Sequence, residues 1–482
     1  MERTSTFIDK STIPLVVDLD GTLIKTDTLY ESVLLAIKNQ PWIIFQLFAW
    51  LFHGLSFFKH RIAALVMLDI ESLPYNEDVL LFLRNEYGNG RKLVLASASN
   101  QRYVQAVANH LGIFSEVLAS DEKQNYKGMH KAEKLIELYS VKGFDYIGDS
   151  RADLKIFPSA REVFLVNPTK RTGDVAVKNG NVKEIFKSKR SLKDYLKLIR
   201  VHQWLKNTLV FLPLMTSHNW FDMKLVVLCF FGFVALSVGA SGTYVLNDLF
   251  DLHDDRKHPR KKTRPIAAGS IPIVNGIIVS ITMMASGLIF SWFLGVHFFL
   301  AVLFYYLVTF SYSFIFKNYV LIDSILLASL FTIRVIAGAT LIDVKISFWL
   351  LAFSIFFFFS LALIKRCTEL QLLQGMGRKA SEGRDYNTAD LVTLRSIGIT
   401  SGLMSIVVFA LYINSDAVGQ LYAHAEYLWL ACPALLYLVC RLWVKTGRNE
   451  MHDDPIIFAL KDKGSLLMFM LIVALIVIAT YL

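Results

Sequence analysis

The second part of the chain consists of long apolar runs that alternate with short charged segments. Between residues 204 and 482 we count about nine runs of roughly 17–25 residues, the length that crosses the hydrocarbon core of a bilayer. Residues 1–200 have the mixed composition of a soluble protein instead. The sequence therefore predicts one soluble domain followed by an all-helical polytopic membrane domain.

The charges between the apolar runs indicate an orientation. The candidate spans are residues 204–218, 223–247, 271–294, 296–315, 319–342, 347–366, 393–414, 424–444 and 465–481. If the N-terminal domain is cytosolic, the loops near 248–270, 316–318, 367–392 and 445–464 lie on the cytoplasmic side. These loops hold most of the Lys and Arg residues of this part, as the positive-inside rule requires. We therefore expect a multi-pass protein of the inner (plasma) membrane, and the net charge of +10 need not imply nucleic acid.

The soluble part contains short apolar runs that each end in a polar loop. Residues 13–17 precede DLDGTLIKTD, residues 93–96 precede SASNQR, and residues 146–147 precede GDSRAD. Strands of this kind, separated by helical stretches, predict a doubly wound α/β domain, in which ligands gather at the carboxyl ends of the strands. We expect this domain to cover residues 1–168, followed by a basic linker at 169–198.

Two carboxylates stand two residues apart at the first strand end. Asp18 and Asp20 can both turn into one site there, one as nucleophile and the other as acid/base. Together with Ser97 in LVLASAS, a lysine in HKAEKL and Asp149 in GDSRAD, this motif resembles the haloacid dehalogenase superfamily, with its four motifs in order.

The resemblance implies phosphatase-type hydrolysis. Asp18 and Asp20 are then the catalytic carboxylates, and Ser97 holds the phosphoryl oxygens. Lys131, with Lys127 as the alternative, neutralises the aspartyl phosphate. The implied cofactor is Mg²⁺, held by the oxygen ligands of Asp18, Asp20 and Asp149 together with the rest of the GDSRAD motif.

An uncharged segment inside the soluble domain resembles a further span. Residues 42–58, WIIFQLFAWLFHGLSFF, contain no formal charge. A crossing there would separate Asp18 from Asp149, which belong to one site. We therefore predict a helix of a cap, at about residues 28–85, inserted after the first strand. Its aromatic side chains either pack on the cap's own core or rest in the membrane interface.

The segment YVLNDLFDLHDDRKHPRKKTRPIAAG, residues 244–269, gathers charge of both signs between two apolar runs. Asp248, Asp251 and Asp255 share one face of a helix, with Asn247 beside them. Carboxylates this close repel one another unless cations are bound, and Mg²⁺ both takes oxygen ligands and bridges phosphates. We therefore predict a Mg²⁺ site for a substrate phosphate, with Arg264 as the basic residue that contacts the substrate.

The NDxxDxxxD pattern resembles the first aspartate-rich motif of the UbiA prenyltransferase superfamily, nine-helix membrane enzymes. The segments at residues 200–214, 312–325, 334–338 and 365–373 resemble the branch that includes decaprenyl-phosphate phosphoribosyltransferase. For residues 199–482 the resemblance implies transfer of a phosphoribosyl group from phosphoribosyl pyrophosphate to a polyprenyl phosphate. The implied substrate-binding residues are Lys206, Asn207, Arg264, Lys317, Asp323, Arg334, Lys365, Arg366 and Glu369.

Arg334 lies well inside a predicted span, where an unpaired charge is costly. Asp323, eleven residues earlier in the same span, is the candidate that shares a cavity with it or pairs with it.

If the membrane domain makes this ribosylated lipid, the fused phosphatase would remove its 5-phosphate.

Two other functions remain open. One is a prenyltransferase that joins a prenyl group from prenyl diphosphate to an aromatic or quinone acceptor. Its second acidic motif is not evident in the usual form, and Glu369 is the nearest counterpart. The other is a transporter or scaffold with an inactive soluble domain.

Overall fold

The computed structural model describes residues 13–122, 124–178, 181–187, 191–378, 384–419, 421–451 and 454–481. The described residues form two compact units. One comes from Met1–Ile199 and Val245–Val279, and the other from Arg200–Tyr244 and Ser280–Leu482. The charged segment, predicted as part of the membrane domain, therefore belongs to the same unit as the soluble domain.

The first unit is built on a six-stranded parallel sheet of order β3-β2-β1-β4-β5-β6. Its strands are β1 Leu15–Val17, β2 Leu93–Asn100, β3 Glu116–Ser120, β4 Asp145–Gly148, β5 Val163–Val166 and β6 Val182–Phe186. Leu15 and Val17 enter one hydrophobic core and Val16 enters another. Because central parallel strands are buried on both faces, they appear in the sequence as unbroken apolar runs. The predicted α/β class is confirmed.

Eight helices accompany the sheet. They are α1 Thr28–Asn39, α2 Ile43–Leu51, α3 Leu55–Leu65, α4 Glu77–Gly88, α5 Gln101–Leu111, α6 Met129–Tyr139, α7 Lys170–Lys178 and α8 Leu192–Leu198. The apolar segment at residues 42–58 is divided between α2 and α3, which turn at Gly54 with a φ of 98°. It is a pair of cap helices inserted after β1, as predicted, and not a span.

Two boundaries differ from the prediction. Val79 and Leu83 of α4 join the core of the sheet, so the cap ends before α4 and not at residue 85. The segment at 169–198, expected to be a linker, contains α7, β6 and α8, and β6 pairs with β5. The sheet therefore continues past residue 168. β6 is an edge strand with an exposed middle that includes Lys183 and Glu184, which explains its polar sequence.

Among the described residues, eight helices are long and apolar enough to cross a membrane. The helices after residue 200 are α9 Leu212–Thr216, α10 Met223–Phe250, α11 Leu252–Lys257, α12 Ile273–Leu294, α13 Val296–Phe314, α14 Ile322–Leu341, α15 Phe348–Gly375, α16 Leu391–Ile413, α17 Asp416–Gly419, α18 Ala431–Gly447, α19 Pro455–Lys461 and α20 Lys463–Tyr481. The eight candidates are α10, α12, α13, α14, α15, α16, α18 and α20. They correspond to eight of the nine predicted spans.

The first predicted span, residues 204–218, is the exception. It forms a 3₁₀ segment, Val201–Phe211, and the five-residue helix α9. Pro213 lies in the first turn of α9, where its ring leaves no N–H to continue the hydrogen bonds of a helix begun earlier. Neither piece is long enough to cross a bilayer by itself.

Candidate active sites

The first site lies at the carboxyl edge of the sheet in the first unit. Asp18 follows β1 and Asp149 follows β4, and these two strands are neighbours. Gly21, with a φ of 76°, lies in the turn that follows β1. A Cβ at this position would collide with the Asp149 carboxylate, so the close approach requires glycine. The sheet therefore brings the predicted carboxylates together.

Three carboxylates form a group with the chemistry of a metal site. Asp18, Asp149 and Asp153 each offer an oxygen within 4.8 Å of the others, a donor set that suits Mg²⁺. Asp20 is held differently: its carboxylate accepts hydrogen bonds from the Thr28 backbone N–H at 2.7 Å and from a serine hydroxyl. The geometry therefore favours Asp153 over the predicted Asp20 side chain as the third carboxylate ligand.

Lys131 supplies the positive charge of this site. Its buried Nζ donates hydrogen bonds to Asp18 Oδ1 at 2.8 Å, to the Ala96 carbonyl at 3.1 Å and to the Tyr146 hydroxyl at 2.9 Å. Lys127, the alternative in the sequence, is exposed and also lines the cavity above the site. The contacts favour Lys131 as the lysine that acts on the reacting carboxylate.

Burial changes the protonation of these carboxylates. It raises the pKa of Asp18 to about 7 and the pKa of Asp149 to about 8, each raised further by neighbouring carboxylates. Burial likewise raises the pKa of Asp20 to about 6, with Asp27 adding to the shift. Without a further cation the site therefore retains protons near neutral pH, and a divalent cation bound there would displace them.

Two serines of β2 adjoin the acid/base candidate. Ser97 Oγ accepts a hydrogen bond from the Ser99 backbone N–H at 3.0 Å and lies 3.4 Å from Asp20. Ser99 donates its hydroxyl proton to Asp20 at 2.5 Å. Both serines line a cavity of about 740 Å³ that also exposes Asp18. The sequence analysis missed Ser99, although alternate residues of a strand point to the same face.

The charged segment forms a second polar cluster in the first unit. Asp248 lies near the end of α10, Asp251 follows it, and Asp255 lies in α11. Arg264 Nη1 is 2.9 Å from Asp248 Oδ1 and 2.5 Å from Asp255 Oδ2, and Asn247 donates to Asp251 at 2.9 Å. The cation between two of the predicted metal ligands is therefore Arg264. Among the described residues, these aspartates do not form a second three-carboxylate group.

Ion pairs join this segment to α1, and one of them reaches Asp251, whose Oδ1 is 4.0 Å from Lys38 Nζ. Arg256 Nη2 is 2.5 Å from Glu31 Oε1, and both side chains are buried. Lys38 Nζ is 2.7 Å from Asp254 Oδ2. Burial raises the pKa of Asp255 to about 6, against the opposing effect of Arg264. A further positive charge that approaches Asp255 would therefore lower its pKa.

In the second unit, Arg334 is buried in α14 with several partners. It donates from Nε to Asn207 Oδ1 at 2.8 Å, from Nη1 to the Leu330 carbonyl at 2.5 Å and from Nη2 to the Tyr305 hydroxyl at 3.0 Å. The predicted pairing with Asp323 is wrong. Eleven residues of helix rise about 16 Å, farther than the two side chains reach.

Asp323 belongs to a separate buried cluster of the second unit. Its carboxylate lies 2.5 Å from Arg366 Nε and accepts a hydrogen bond from the Tyr386 hydroxyl at 2.5 Å. Arg366 also donates to Glu369 at 2.6 Å, and Arg384 donates to the same carboxylate oxygen at 2.8 Å. Three of the predicted substrate-binding residues are thus brought together as an ion-pair network.

The predicted lysines of the second unit lie in different surroundings. Lys206 forms an ion pair with Asp454, which caps α19. Lys365 lies in α15, next to Arg366 in the chain. Lys317 lies in the 3₁₀ turn Phe316–Asn318 and is half-buried.

Comparison with known families identifies two parts of the chain. The family model described as UbiA prenyltransferase family matches residues 208–473, more than half of the chain. The chain belongs to the UbiA prenyltransferase family. A second model, haloacid dehalogenase-like hydrolase, matches residues 15–158, so a hydrolase-type domain precedes the UbiA domain.

Relatives of the chain include one with both parts. The protein y4nM of Sinorhizobium fredii is 35% identical over 462 residues, which cover 94% of this chain and 88% of the relative. A decaprenyl-phosphate phosphoribosyltransferase of Mycolicibacterium smegmatis is 27% identical, covering 58% of this chain and 91% of that enzyme. Its counterpart in Corynebacterium glutamicum is 30% identical, covering 47% and 70%.

Several polar residues of the UbiA domain escaped the sequence analysis. Asp454, Arg384 and Tyr386 lie in loops between candidate spans, where charge is expected for topology alone. Only the ion pairs of Asp454 and Arg384 and the hydrogen bond of Tyr386 distinguish them from ordinary loop residues. Asp454 belongs to the charged segment DDPIIFALKDK, residues 453–463, of which Asp453 lies outside the described residues.

Proposed function

We propose that the UbiA domain transfers a phosphoribosyl group from phosphoribosyl pyrophosphate to a polyprenyl phosphate, and that the fused phosphatase removes the 5-phosphate of the product. The observation that carries this proposal is the charged segment, where Arg264 holds Asp248 and Asp255 together. Similarity to two decaprenyl-phosphate phosphoribosyltransferases supports the choice of donor and acceptor.

In the proposed transfer, an oxygen of the lipid phosphate attacks the anomeric carbon of the ribose. The bond from that carbon to the diphosphate breaks, and the diphosphate leaves with the electron pair. Asp248, Asp251 and Asp255, with Asn247, are the oxygen donors that would hold Mg²⁺, which when bound neutralises the diphosphate. Arg264, which neutralises two aspartates without substrate, then contacts the diphosphate.

Under this proposal, the Lys and Arg side chains of the second unit have two different roles. Lys206, Lys317 and Lys365 carry compact ammonium charges that suit the acceptor phosphate, which would have to displace Asp454 from Lys206. Arg334 and Arg366 already donate to protein partners, so their role is to hold the surrounding helices and side chains in position. Asn207, Asp323 and Glu369 orient these two arginines.

The proposed hydrolysis uses the carboxylates of the first unit. Asp18 attacks the phosphorus, and the bond to the ribose 5-oxygen breaks while Asp20 gives that oxygen a proton. Water then attacks the aspartyl phosphate, and Asp20 takes up a proton from it. The pKa of Asp20, about 6, suits an acid/base that acts in both directions. Mg²⁺ held by Asp18, Asp149 and Asp153 would neutralise the phosphoryl oxygens.

Purified full-length protein, supplied with Mg²⁺, labelled phosphoribosyl pyrophosphate and a polyprenyl phosphate, tests the proposal. We expect a lipid-extractable ribosyl product that lacks the 5-phosphate. Asp18→Asn should accumulate the 5-phosphorylated lipid, and Asp251→Asn should yield no ribosyl lipid while p-nitrophenyl phosphate is still hydrolysed. Consumption of prenyl diphosphate in place of phosphoribosyl pyrophosphate would refute the proposal. Both sites are proposed to lie on the cytoplasmic side of the inner membrane.

A further inference from the structure

The cap helices present aromatic side chains to the surface of the first unit. Trp42, Phe45, Phe48 and Phe52, here called the aromatic face, have exposed fractions of 81%, 68%, 61% and 90%. Their spacing along α2 puts the last three on one side of the helix. A soluble protein surface rarely leaves this many large aromatic side chains together in water.

The opposite side of the same hairpin is well packed. Ile43 and Leu47 of α2 join Phe58 and Ile62 of α3 in one buried cluster. The hairpin thus has a core of its own, and the aromatic face is not a gap left by missing packing within it. The sequence left two alternatives for these side chains, a buried core or an interfacial surface, and the exposure selects the second.

Composition identifies the occupant of this face. Residues 32–68 contain neither aspartate nor glutamate; of their basic residues, Lys38 pairs with Asp254 and Lys59 faces the phosphatase cavity, while the exposed Arg61 lies over the Phe57 ring. Exposed tryptophan and phenylalanine without acidic residues nearby are the composition of elements that lie in the interface of a bilayer. Among the described residues, eight helices are suited to crossing a membrane, so the hairpin belongs to a membrane protein.

The hairpin also borders the phosphatase cavity. Leu55 and Lys59 of α3 line the cavity that exposes Asp18, and Lys59 Nζ donates to the Ala98 carbonyl at 2.7 Å. Burial lowers the pKa of Lys59, although carboxylates of the site oppose the shift. One helix of the hairpin therefore adjoins the reacting groups, while the other presents the aromatic face.

We propose that the α2–α3 hairpin inserts its aromatic face into the headgroup region of the bilayer and so presents the phosphatase cavity to phosphomonoesters attached to lipid. A phosphate at the end of a membrane-bound lipid then reaches Asp18 while its apolar chain remains in the membrane. Water-soluble phosphomonoesters gain nothing from this arrangement, because they reach the cavity from solution.

Quenching of Trp42 fluorescence tests the insertion without reference to either catalytic activity. Full-length protein is reconstituted into nanodiscs of phosphatidylcholine and phosphatidylglycerol, with or without bromine on the acyl chains near the headgroups. The chain has 8 tryptophans, so the contribution of Trp42 is taken as the difference from the Trp42→Phe variant. We expect bromine to quench this contribution. A contribution equally bright in both lipids would overturn the proposal.

A second arm, which rests on the proposed function, measures specificity. In a variant with serine at positions 45, 48 and 52, hydrolysis of the ribosyl phosphate lipid should fall by ~10-fold, since interfacial binding scales with buried apolar area. Hydrolysis of p-nitrophenyl phosphate should stay unchanged, which also shows that the unit is folded. The matched control replaces Leu138 and Val141 by serine. These exposed residues precede β4 and so lie towards the amino ends of the strands, away from the site at the carboxyl ends.

The outcomes separate the possible failures. Quenching without any ribosyl lipid product would support the insertion and refute the proposed function. An equal loss in the aromatic and control variants would refute a specific role for the hairpin. If the aromatic variant instead converts a dimer to a monomer while Trp42 is not quenched, a second copy of the chain covers this face and the proposal is wrong.

Discussion

Replacement of Lys131 by methionine separates the two candidate lysines of the phosphatase site. Methionine has a similar length and no charge, so it removes the cation and little volume. Lys131 is 2.8 Å from Asp18 and 3.8 Å from Asp153, and its side chain is 3% exposed. The substitution therefore leaves two carboxylates facing each other in a buried site.

The expected loss of stability follows from this geometry. Removal of one partner of a buried ion pair costs about 3–5 kcal/mol. Asp18 limits this cost by taking up a proton, because its pKa, about 7, rises further when the lysine is absent. We therefore expect about 3 kcal/mol at pH 8 and less at pH 6, which corresponds to exchange of strand amides roughly 100-fold faster. Hydrogen-exchange mass spectrometry of peptides from β1 and β4 measures this separately from the membrane helices.

Activity should fall as well, because the variant loses both the charge that keeps Asp18 ionised and the charge beside the phosphoryl group. Removal of one such preorganised group costs roughly 100- to 1,000-fold in kcat. The assay is hydrolysis of p-nitrophenyl phosphate by the full-length protein in Mg²⁺. Lys127→Met is the control, since Lys127 lines the same cavity but is exposed. A severe loss in the Lys127 variant beside a nearly active Lys131 variant would refute this assignment.

Three further predictions concern the protonation of Asp149 and the buried side chain of Arg334. Because the pKa of Asp149 is about 8, the Mg²⁺ affinity of the phosphatase site should fall by ~50-fold from pH 8 to pH 6, measured by isothermal titration. In EDTA, the protection factors of β4 amides, which compare each exchange rate with the intrinsic rate at the same pH, should be lower at pH 8 than at pH 6. Folding raises the pKa of the Asp149 carboxyl from 3.8 to about 8, so the stability that its proton contributes is lost as the pH rises to 8. Higher protection at pH 8 would contradict the burial argument. Arg334→Lys should lower ribosyl transfer at least ~10-fold while the chain stays folded by circular dichroism, because lysine cannot replace the planar fork that contacts Asn207 and Tyr305.

The sequence was informative where a physical constraint acts along the chain. Apolar runs marked β1, β2 and β4 because central parallel strands are buried on both faces. The DxD spacing predicted where Asp18 would lie, since a strand end fixes the direction of the next few residues. Span length in the same way predicted eight of the membrane helices. The span prediction failed at residues 204–218, because hydropathy alone does not distinguish a span from a 3₁₀ segment followed by a short helix with Pro213 in its first turn.

Other features depend on contacts that sequence spacing does not describe. β6 pairs with β5 at the edge of the sheet, and its exposed middle gives it the composition of a linker. Asp323 and Arg334 share a helix but not a partner, because the rise of the helix separates them. Asp153 takes the place of Asp20 among the expected metal ligands, because the Asp20 carboxylate already accepts hydrogen bonds from Thr28 and the β2 serines.

The charged segment shows that the pattern of charges in the sequence does not identify which groups pair in the structure. Three carboxylates in one place require positive charge nearby, and the sequence analysis assigned that charge to metal. In the structure Arg264 supplies it to Asp248 and Asp255, while Arg256 pairs with Glu31 of the cap. A Mg²⁺–diphosphate complex bound by the aspartates would bring its own cation. Arg264 would then be in excess beside the carboxylates and better neutralised by the diphosphate, so under the proposed function the same arginine would serve both the folded resting site and the bound substrate.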